Sequence, residues 1–312
     1  MSSKQAKVLY VISNLAKGFA PKFFYADASD YIAKHLSLFD KNYIDERVNY
    51  YCKLDKEVEL SDNCTYDKQF RYTKPSAYFL DLKPLLRFFK TTALFDYVFG
   101  DVIHIPETPS IVKSRPIADN NQNSVILNLD KRRHFVFIND PIAYQNKKDV
   151  LVWRGYISKN QKLRRTFLDK HFRTPICNAG HINNFEDNRH KVPPLSMNKH
   201  LQNKFILSIE GNDVATNLKW IMSSNSLCFS TKPRYETWMM EGRLISNHHY
   251  VLLKDDYSDL EEKIAYYLAY PEEALQIISN ANAYVEQFKN KEREKLIALM
   301  VLDKYFSLTS KE

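Results

Sequence analysis

Glycine is scarce in this sequence, where only 6 of the 312 residues are glycine, against a usual share of about 7%. The scarcity singles out Gly155 and Gly211, because each lies where a predicted strand ends. A glycine at such a place lets a ligand approach the backbone closely. A plain turn glycine is the alternative interpretation at both positions.

Long hydrophobic runs and paired cysteines are also absent. No stretch of about 18 apolar residues occurs, so no membrane-spanning helix is predicted, and residues 8–12 are too short for the core of a signal peptide. The four cysteines form no CxxC pair, so neither a disulfide framework nor a zinc site is predicted. We therefore expect a cytoplasmic protein with reduced thiols.

The charge is positive overall, with a formal net charge of +8 and a pI near 9.0. Such a balance suits nucleic acid, an anionic membrane surface or a phosphorylated substrate. A lysine-rich surface that only keeps the protein in solution explains the charge equally well. The basic residues are dispersed and no helix-turn-helix or RNA-binding signature is present, so nucleic acid is not an expected partner.

Strands and helices alternate through the second half of the chain. Strands are predicted at 149–153, 205–209, 227–229 and 250–253, with helices at 159–172, 214–223 and 235–240. This alternation is typical of parallel sheets made of βαβ units. In the first half, strands are predicted at 7–13, 125–129 and 135–138, and a helix at 27–39. A chain of this length predicts two domains.

In an open parallel sheet, ligands bind beyond the carboxyl ends of the strands. The turns at residues 154–155, 210–217 and 232–236 are therefore candidate binding elements. A helix predicted to begin at Val214, with Asp213 as its N-cap, would direct free N–H groups at a diphosphate.

Side chains in these turns add to the predicted diphosphate site. The guanidinium of Arg154 matches the geometry of a phosphate, and Thr216 and Asn217 offer further hydrogen bonds. Glu236 is a candidate to accept bonds from ribose hydroxyls, with a solvated helix carboxylate as the alternative.

A family resemblance rests on these residues. The run KFILSIEGNDVATNLKWIMSSNSLCFSTKPRYETWMMEG and the later HHYVLLKDDYSDLEEKI resemble the signature region of glycosyltransferase family 90, and of its bacterial lipooligosaccharide core branch in particular. The resemblance extends upstream through VLVWRG, NSVILNLDKRRHFVFIND and GDVIHIPETPSIVKSRPI, and so covers about residues 101–267. The ordered combination of these motifs is specific.

The resemblance implies an α/β fold of the GT-B type, in which two Rossmann-like domains with parallel sheets face each other across a cleft. We place an acceptor-side domain at 1–145, a nucleotide-sugar-binding domain at 146–290 and a C-terminal helix at 291–312. The resemblance also implies an inverting, metal-independent transfer. The sequence agrees on one point, because no two aspartates lie at i and i+2, the DxD spacing of metal-dependent glycosyltransferases. No cofactor is therefore expected.

The expected partners are a UDP-sugar donor carrying a hexose, glucose or galactose, and a lipooligosaccharide or lipopolysaccharide core acceptor. Peripheral contact with the cytoplasmic face of the inner membrane fits such an acceptor, and a capsule glycan or a protein is the alternative acceptor. Two arginines of the animal branch are missing here, at Asn217 and Ile157, so diphosphate contacts pass to Arg164, Arg165 or Lys219. The predicted donor-binding residues are Arg154, Gly155, Arg164, Glu210, Gly211, Asn212, Asp213, Val214, Ala215, Thr216, Asn217, Lys219, Lys232 and Glu236.

Inversion requires a general base that deprotonates the acceptor hydroxyl. In the animal relatives this base is an aspartate ahead of a proline-containing loop, and the resemblance places Asp101 there. His104 and Glu107 are the competing candidates, and a structural loop aspartate is the alternative for Asp101. The residues that follow, Lys113, Ser114 and Arg115, are predicted to contact an acidic acceptor or the donor sugar.

Overall fold

A computed structural model describes residues 3–72 and 76–309 of the chain. The helices in those ranges, α1 to α11 in chain order, are Ser3–Phe19, Ala28–Leu36, Lys41–Tyr51, Ser76–Leu86, Lys131–His134, Lys162–His171, Met197–His200, Leu218–Met222, Leu260–Ala269, Pro271–Glu286 and Lys291–Thr309. The strands, β1 to β11, are Thr65–Tyr66, Leu94–Val98, Ser110–Val112, Arg115–Pro116, Ser124–Ile126, Lys148–Gly155, Cys177–His181, Asn203–Ser208, Leu227–Ser230, Tyr235–Glu236 and Val251–Leu252. Short 3-10 helices lie at Lys22–Phe24, Tyr144–Asn146 and Glu241–Arg243. Among the helices within these ranges, none combines the length and the apolar character that crossing a bilayer requires.

The chain divides into two compact units. Unit 1 consists of Met1–Arg133, Tyr235–Trp238 and Asn290–Glu312, and unit 2 of His134–Arg234 and Met239–Lys289. Unit 1 thus takes a short piece from the second half of the chain and the C-terminal helix α11.

The sheet of unit 2 has five strands in the order β11-β9-β8-β6-β7, and every neighbouring pair is parallel. Its central strands are short, nearly continuous apolar runs, as expected of strands covered on both faces. Leu151, Phe205, Leu207, Phe229 and Val251 are buried in one core with the surrounding helices. The predicted α/β class with parallel sheets is confirmed.

The sheet of unit 1 has the order β1-β2-β3-β5, with β2, β3 and β5 parallel and β1 antiparallel to β2. A separate two-stranded ladder joins β4 to β10 and pairs Arg115 with Glu236. The carboxyl ends of β2, β3 and β5 therefore share one edge, and the loops that follow Val98, Val112 and Ile126 begin there.

The predicted strand at 7–13 is wrong, because these residues lie within α1. The segment is apolar on every side, and a short run of that kind does not distinguish a strand from a buried helix. Tyr10, Asn14 and Gly18 recur at helical spacing on the face toward α4. The Tyr10 hydroxyl lies 3.5 Å from the Ala77 carbonyl oxygen, and a Cβ on Gly18 would lie 3.0 Å from Cγ of Lys83.

The helix predicted from Val214 begins instead at Leu218 and has only five residues. Val214 and Ala215 are buried in the preceding turn. The Asn217 side chain ties that turn to β8, donating to the Leu207 carbonyl oxygen at 3.0 Å. Since the chain is held to the strand up to this point, Asp213 caps no helix.

Two further segments differ from prediction. The region 235–240, predicted as a helix, forms β10 and then a left-handed residue, Met240, with φ of 55°. The pairing of β10 with β4 uses backbone groups that a helix would need for itself. Residues 135–138, predicted as a strand, lie outside every described sheet, and the Ile138 N–H donates to Oγ of Ser223 at 3.0 Å.

Candidate active site

The carboxyl edge of the unit 2 sheet is organised by Arg164 on α6. Its guanidinium donates to the carbonyl oxygens of Tyr156 at 2.7 Å, Ile209 at 3.0 Å and Glu210 at 3.0 Å. One side chain therefore joins the ends of β6 and β8. These three hydrogen bonds fix the shape of the turn, and the predicted contact of Arg164 with the diphosphate stays a prediction.

Both glycines at this edge lie against the protein's own side chains. A Cβ on Gly155 would overlap the indole of Trp153, and one on Gly211 would lie 3.0 Å from a terminal nitrogen of Arg164. Gly211 therefore allows Arg164 to lie against the turn. Close packing on Trp153 thus accounts for Gly155, whereas the approach of a ligand to Gly211 stays a prediction.

Glu210 and Asn212 are drawn into the same edge. Oε1 of Glu210 accepts from the backbone N–H of Arg234 at 2.8 Å, which ties the end of β8 to the segment after β9. The exposed Asn212 accepts from the amide of Gln161 at 3.0 Å. The turn is thus held by both α6 and the loop after β9.

Exposed cations surround this turn. Arg234 is half exposed and pairs with Asp255 at 2.6 Å, and Lys232, two residues earlier, is exposed. Sequence reasoning selected Lys232 and missed Arg234, although both lie in the turn after β9 that the strand pattern identified. Thr216 is partly exposed in the turn before α8.

The side chains of two further predicted donor contacts bind other groups within unit 2. The guanidinium of Arg154 donates to the Pro193 carbonyl oxygen at 3.1 Å and to Asn178 at 2.7 Å, along β7, and burial lowers its pKa. The ammonium of Lys219 is buried and pairs with the equally buried carboxylate of Glu241. A diphosphate would reach Lys219 only by breaking that pair.

Glu236 and Arg115, predicted as ligand contacts, are buried together in unit 1. Nε of Arg115 lies 2.8 Å from Oε1 of Glu236, and the Tyr50 hydroxyl donates to the same carboxylate. Arg115 also donates to the carbonyl oxygens of Tyr50 at 2.8 Å and Ser124 at 3.0 Å. This ion pair holds β10 against β4, and both side chains are closed to solvent.

The carboxyl edge of the unit 1 sheet brings Asp101 and Lys113 together. The Lys113 ammonium lies 2.9 Å from Oδ1 of Asp101. The lysine side chain is 2% exposed and the aspartate side chain 35%. Gly100, at φ of 116°, makes the backbone turn that begins this loop. A solvent-accessible carboxylate is thus anchored on a buried cation.

A second carboxylate, which sequence reasoning missed, faces the same lysine. Asp130 follows β5, has a left-handed φ of 53°, and is buried. Burial raises its pKa, while the charges of Arg133 and Lys113 oppose the shift. Its position just beyond a predicted strand is the signal that would have found it. Ser114, also predicted here, has its hydroxyl 3.5 Å from the Val102 carbonyl oxygen.

His104 and Glu107 lie toward the opposite edge of the same sheet. The Asn123 amide, which precedes β5, donates to the carbonyl oxygens of Pro106 at 3.1 Å and Glu107 at 2.7 Å. His104 and Glu107 both line a cavity of about 810 Å³ with Asp96. Among the three proposed bases, Asp101 alone lies at the carboxyl edge with Lys113.

A metal ion would need several ligating side chains that converge on one point. In residues 3–72 and 76–309, no group of three or more His, Cys, Asp or Glu side chains is arranged to hold one. The predicted metal independence of the reaction stays a prediction.

The chain is similar to known proteins along most of its length. The family model described as "Glycosyl transferase family 90" matches residues 48–311. The chain is also 48% identical, over 267 residues, to a protein named O-glucosyltransferase LpsA from Dichelobacter nodosus, a match that covers 85% of this chain and 83% of that protein.

Proposed function

Because the chain belongs to glycosyl transferase family 90 and is a glycosyltransferase, we propose that it transfers a hexose from a UDP-sugar to a hydroxyl of a lipopolysaccharide or lipooligosaccharide core. The name of its relative, an O-glucosyltransferase, favours glucose over galactose. The observation that carries the proposal is the partly exposed Asp101 carboxylate held on the buried Lys113.

In the proposed reaction Asp101 is the general base. It takes the proton of the acceptor hydroxyl while that oxygen forms a bond to the anomeric carbon, from the face opposite UDP. The bond from the anomeric carbon to the phosphate oxygen breaks, and its electron pair leaves with UDP. Lys113 fixes the orientation of the carboxylate, so the base is in place before the acceptor arrives.

The donor diphosphate is proposed to bind at the carboxyl edge of the unit 2 sheet. Arg234 and Lys232 are the exposed cations there, and the Gly211 turn braced by Arg164 offers backbone groups beside them. Arginine suits this role because its planar fork matches phosphate oxygens. Cations placed at the leaving group also stabilise the charge that develops on it.

Several finer features stay part of the proposal. They are inversion at the anomeric carbon, independence of metal ions, the GT-B arrangement, and the division into residues 1–145, 146–290 and 291–312. Metal independence is supported by the lack of an aspartate pair at i and i+2 in the sequence. A cytoplasmic location, at the inner membrane where core acceptors are lipid-linked, is supported by the net charge of +8.

The direct test is a transfer assay with purified protein, UDP-glucose or UDP-galactose, and a truncated core oligosaccharide, with EDTA present. We expect transfer from UDP-glucose, and a product whose anomeric configuration, read by NMR, is opposite to that of the donor. A strict requirement for manganese would contradict the metal-free mechanism. Transfer only to a capsule glycan or a protein would overturn the proposed acceptor, and no binding of any nucleotide sugar would overturn the proposed function.

A further inference from the structure

The N-terminal helix α1 has two apolar faces, of which one is exposed. The face containing Tyr10, Asn14 and Gly18 packs on α4. On the opposite face Val8, Leu9 and Ile12 are each more than half exposed. Phe19 is also 63% exposed, although its ring centroid lies 6.2 Å from that of Phe79 on α4. A helix of a globular protein usually turns polar residues to water, so the second apolar face requires an explanation.

The exposed apolar surface continues into the 3-10 helix Lys22–Phe24. Phe23 is 80% exposed and Phe24 70% exposed, with ring centroids 4.3 Å apart. Of the 16 large exposed hydrophobic side chains in the described part of the chain, 6 lie between Val8 and Phe24. We call these six residues, Val8, Leu9, Ile12, Phe19, Phe23 and Phe24, the α1 patch. Concentrations of this kind mark interaction surfaces.

The charged residues within the segment that carries the α1 patch, residues 8–24, are all lysines. Residues 1–26 contain four lysines and no acidic residue, and the first acidic residue is Asp27, whose carboxylate lies 3.6 Å from the Lys22 ammonium. Lys7 and Lys17 are exposed on α1 itself. Lys22 beside the two phenylalanines donates to the Phe89 carbonyl oxygen at 2.9 Å.

A second basic segment lies close to α1. The backbone N–H of Lys131, the first residue of α5, donates to the Asp81 carboxylate at 2.9 Å, and Asp81 is also bonded to the Tyr10 side chain. Arg132 and Arg133, which follow, are exposed. Apolar side chains that can enter the acyl boundary, bordered by cations, are the pattern of an interfacial helix on anionic lipid.

We propose that the α1 patch is the surface through which this enzyme docks on an anionic lipid bilayer. α1 lies in the plane of the interface, since its other face is committed to α4. The docking surface does not depend on the proposed function, because docking involves no sugar. Only its use, which is to bring the enzyme to a lipid-linked acceptor, rests on that function. A second copy of the chain is the competing occupant.

The test is sedimentation of the full chain with two kinds of vesicle. The first contains phosphatidylethanolamine and phosphatidylglycerol in a ratio of about 7:3, which provides an anionic surface, and the second contains phosphatidylcholine alone. We expect binding to the anionic vesicles that weakens with salt and is at least tenfold weaker on phosphatidylcholine. The double variant Ile12→Glu, Phe23→Glu should bind at least tenfold more weakly than wild type. The matched control is Ile245→Glu, which changes an isoleucine 59% exposed in unit 2 and should leave binding unchanged.

A second variant keeps the proposal falsifiable if the double variant folds poorly. Phe23→Trp should show a blue shift of tryptophan emission on anionic vesicles and none on phosphatidylcholine. No binding to anionic vesicles, or no shift, would overturn the proposal. A dimer in sedimentation velocity that Ile12→Glu converts to a monomer, without vesicle binding, would assign the α1 patch to a second copy instead.

Activity measurements separate this proposal from the function. The Ile12→Glu, Phe23→Glu variant should keep wild-type transfer to a water-soluble core oligosaccharide and lose it, at least fivefold, on acceptor embedded in vesicles. If wild type binds vesicles without transferring sugar, the function fails and the docking surface stands. If it transfers to the soluble acceptor without binding vesicles, the docking surface fails alone.

Discussion

The carboxyl edges of the two parallel sheets differ in the charge they expose. In unit 1 the accessible group is a carboxylate, Asp101, and its cationic partner Lys113 is buried. In unit 2 two cations are accessible, Lys232 and Arg234, of which Arg234 pairs with the exposed Asp255, beside a turn that Arg164 holds through backbone carbonyl oxygens. The first arrangement suits a proton acceptor and the second suits a phosphate. The difference supports the proposal that Asp101 is the base and that the unit 2 edge binds the diphosphate.

The largest expected effect is that of Asp101→Asn. If Asp101 is the base, kcat should fall by a factor of about 10² to 10⁴, while UDP affinity stays within about twofold because the residue belongs to the other edge. Steady-state transfer assays and calorimetric UDP titrations measure the two quantities.

Glu107→Gln is the matched control for this prediction. Glu107 lines the cavity with Asp96, and its carbonyl accepts from Asn123 near the start of β5. It should therefore keep near wild-type turnover. A large loss in Glu107→Gln, with activity retained in Asp101→Asn, would move the base to the other end of the sheet.

The next effect concerns stability and tests whether Glu236 is structural. Glu236→Ala should lower the free energy of unfolding by about 3–5 kcal/mol, because it leaves the buried Arg115 guanidinium without its counter-ion. Urea unfolding measures the loss. Glu262→Ala, an exposed glutamate on α9, should change stability by less than about 0.5 kcal/mol. A stable Glu236→Ala enzyme with impaired donor binding would return Glu236 to the ribose role that its sequence position suggested.

A smaller effect on UDP binding is expected at the carboxyl edge of the unit 2 sheet, where the diphosphate is proposed to bind. Arg234→Gln should weaken UDP binding by about ten- to a hundredfold, the worth of a hydrogen bond from a charged donor, about 1.5–3 kcal/mol. Arg189→Gln is the control, since Arg189 is an exposed arginine of the same unit that pairs with Asp169 and Asp187. Equal UDP affinity in wild type and Arg234→Gln would show that Arg234 does not contact the diphosphate.

The smallest effect is a pH dependence of unit 2. Burial and the neighbouring His248 lower the pKa of His249 from 6.5 to about 4, and its Nδ1 accepts from the Ile245 N–H at 2.9 Å. Between pH 6.5 and 4 His249 is protonated in the unfolded chain but not in the folded protein, so the free energy of unfolding falls on acidification. The expected loss is about 1–2 kcal/mol after allowance for solvent screening.

Hydrogen exchange of peptides from 239–289, measured at about pH 7 and about pH 5, on either side of the ordinary histidine pKa, would locate this loss. His249→Gln removes the titrating group and should flatten the dependence. An unchanged slope in His249→Gln would show that another group is responsible.

Prediction from the sequence was most successful where local pattern decides the structure. β8 and β9 are almost fully buried parallel strands, so they are apolar runs that the sequence pattern identifies directly. β7, whose sequence CNAGH is not such a run, was missed. Helix α1 was not predicted because its second face is apolar as well. The sequence therefore lacks the contrast between an apolar and a polar face that marks an amphipathic helix. The short helix α8 failed because Asn217 bonds back to Leu207, a contact between residues ten apart.

The candidate site divides in the same way. Glu210 and Gly211 were found because they follow a predicted strand, and parallel strands bring their carboxyl ends to one edge. Asp101 was found through the family resemblance, since no strand was predicted before it. Arg115 and Glu236 are 121 positions apart in the chain, and neither residue's neighbours indicate that they form a buried pair. A single sequence shows which residues end strands, whereas it does not show which charges neutralise each other inside the fold.

The proposed roles, with Asp101 as the base and Arg234 as a diphosphate contact, are tested most directly by UDP titration of Asp101→Asn, Arg234→Gln and the double variant in one experiment. We predict that Asp101→Asn binds UDP like wild type, that the double variant binds like Arg234→Gln alone, and that both variants in which Asp101 is replaced lose turnover. If Asp101→Asn weakened UDP binding as much as Arg234→Gln does, the carboxylate would belong to the donor site, and the proposed separation of base and phosphate would be wrong.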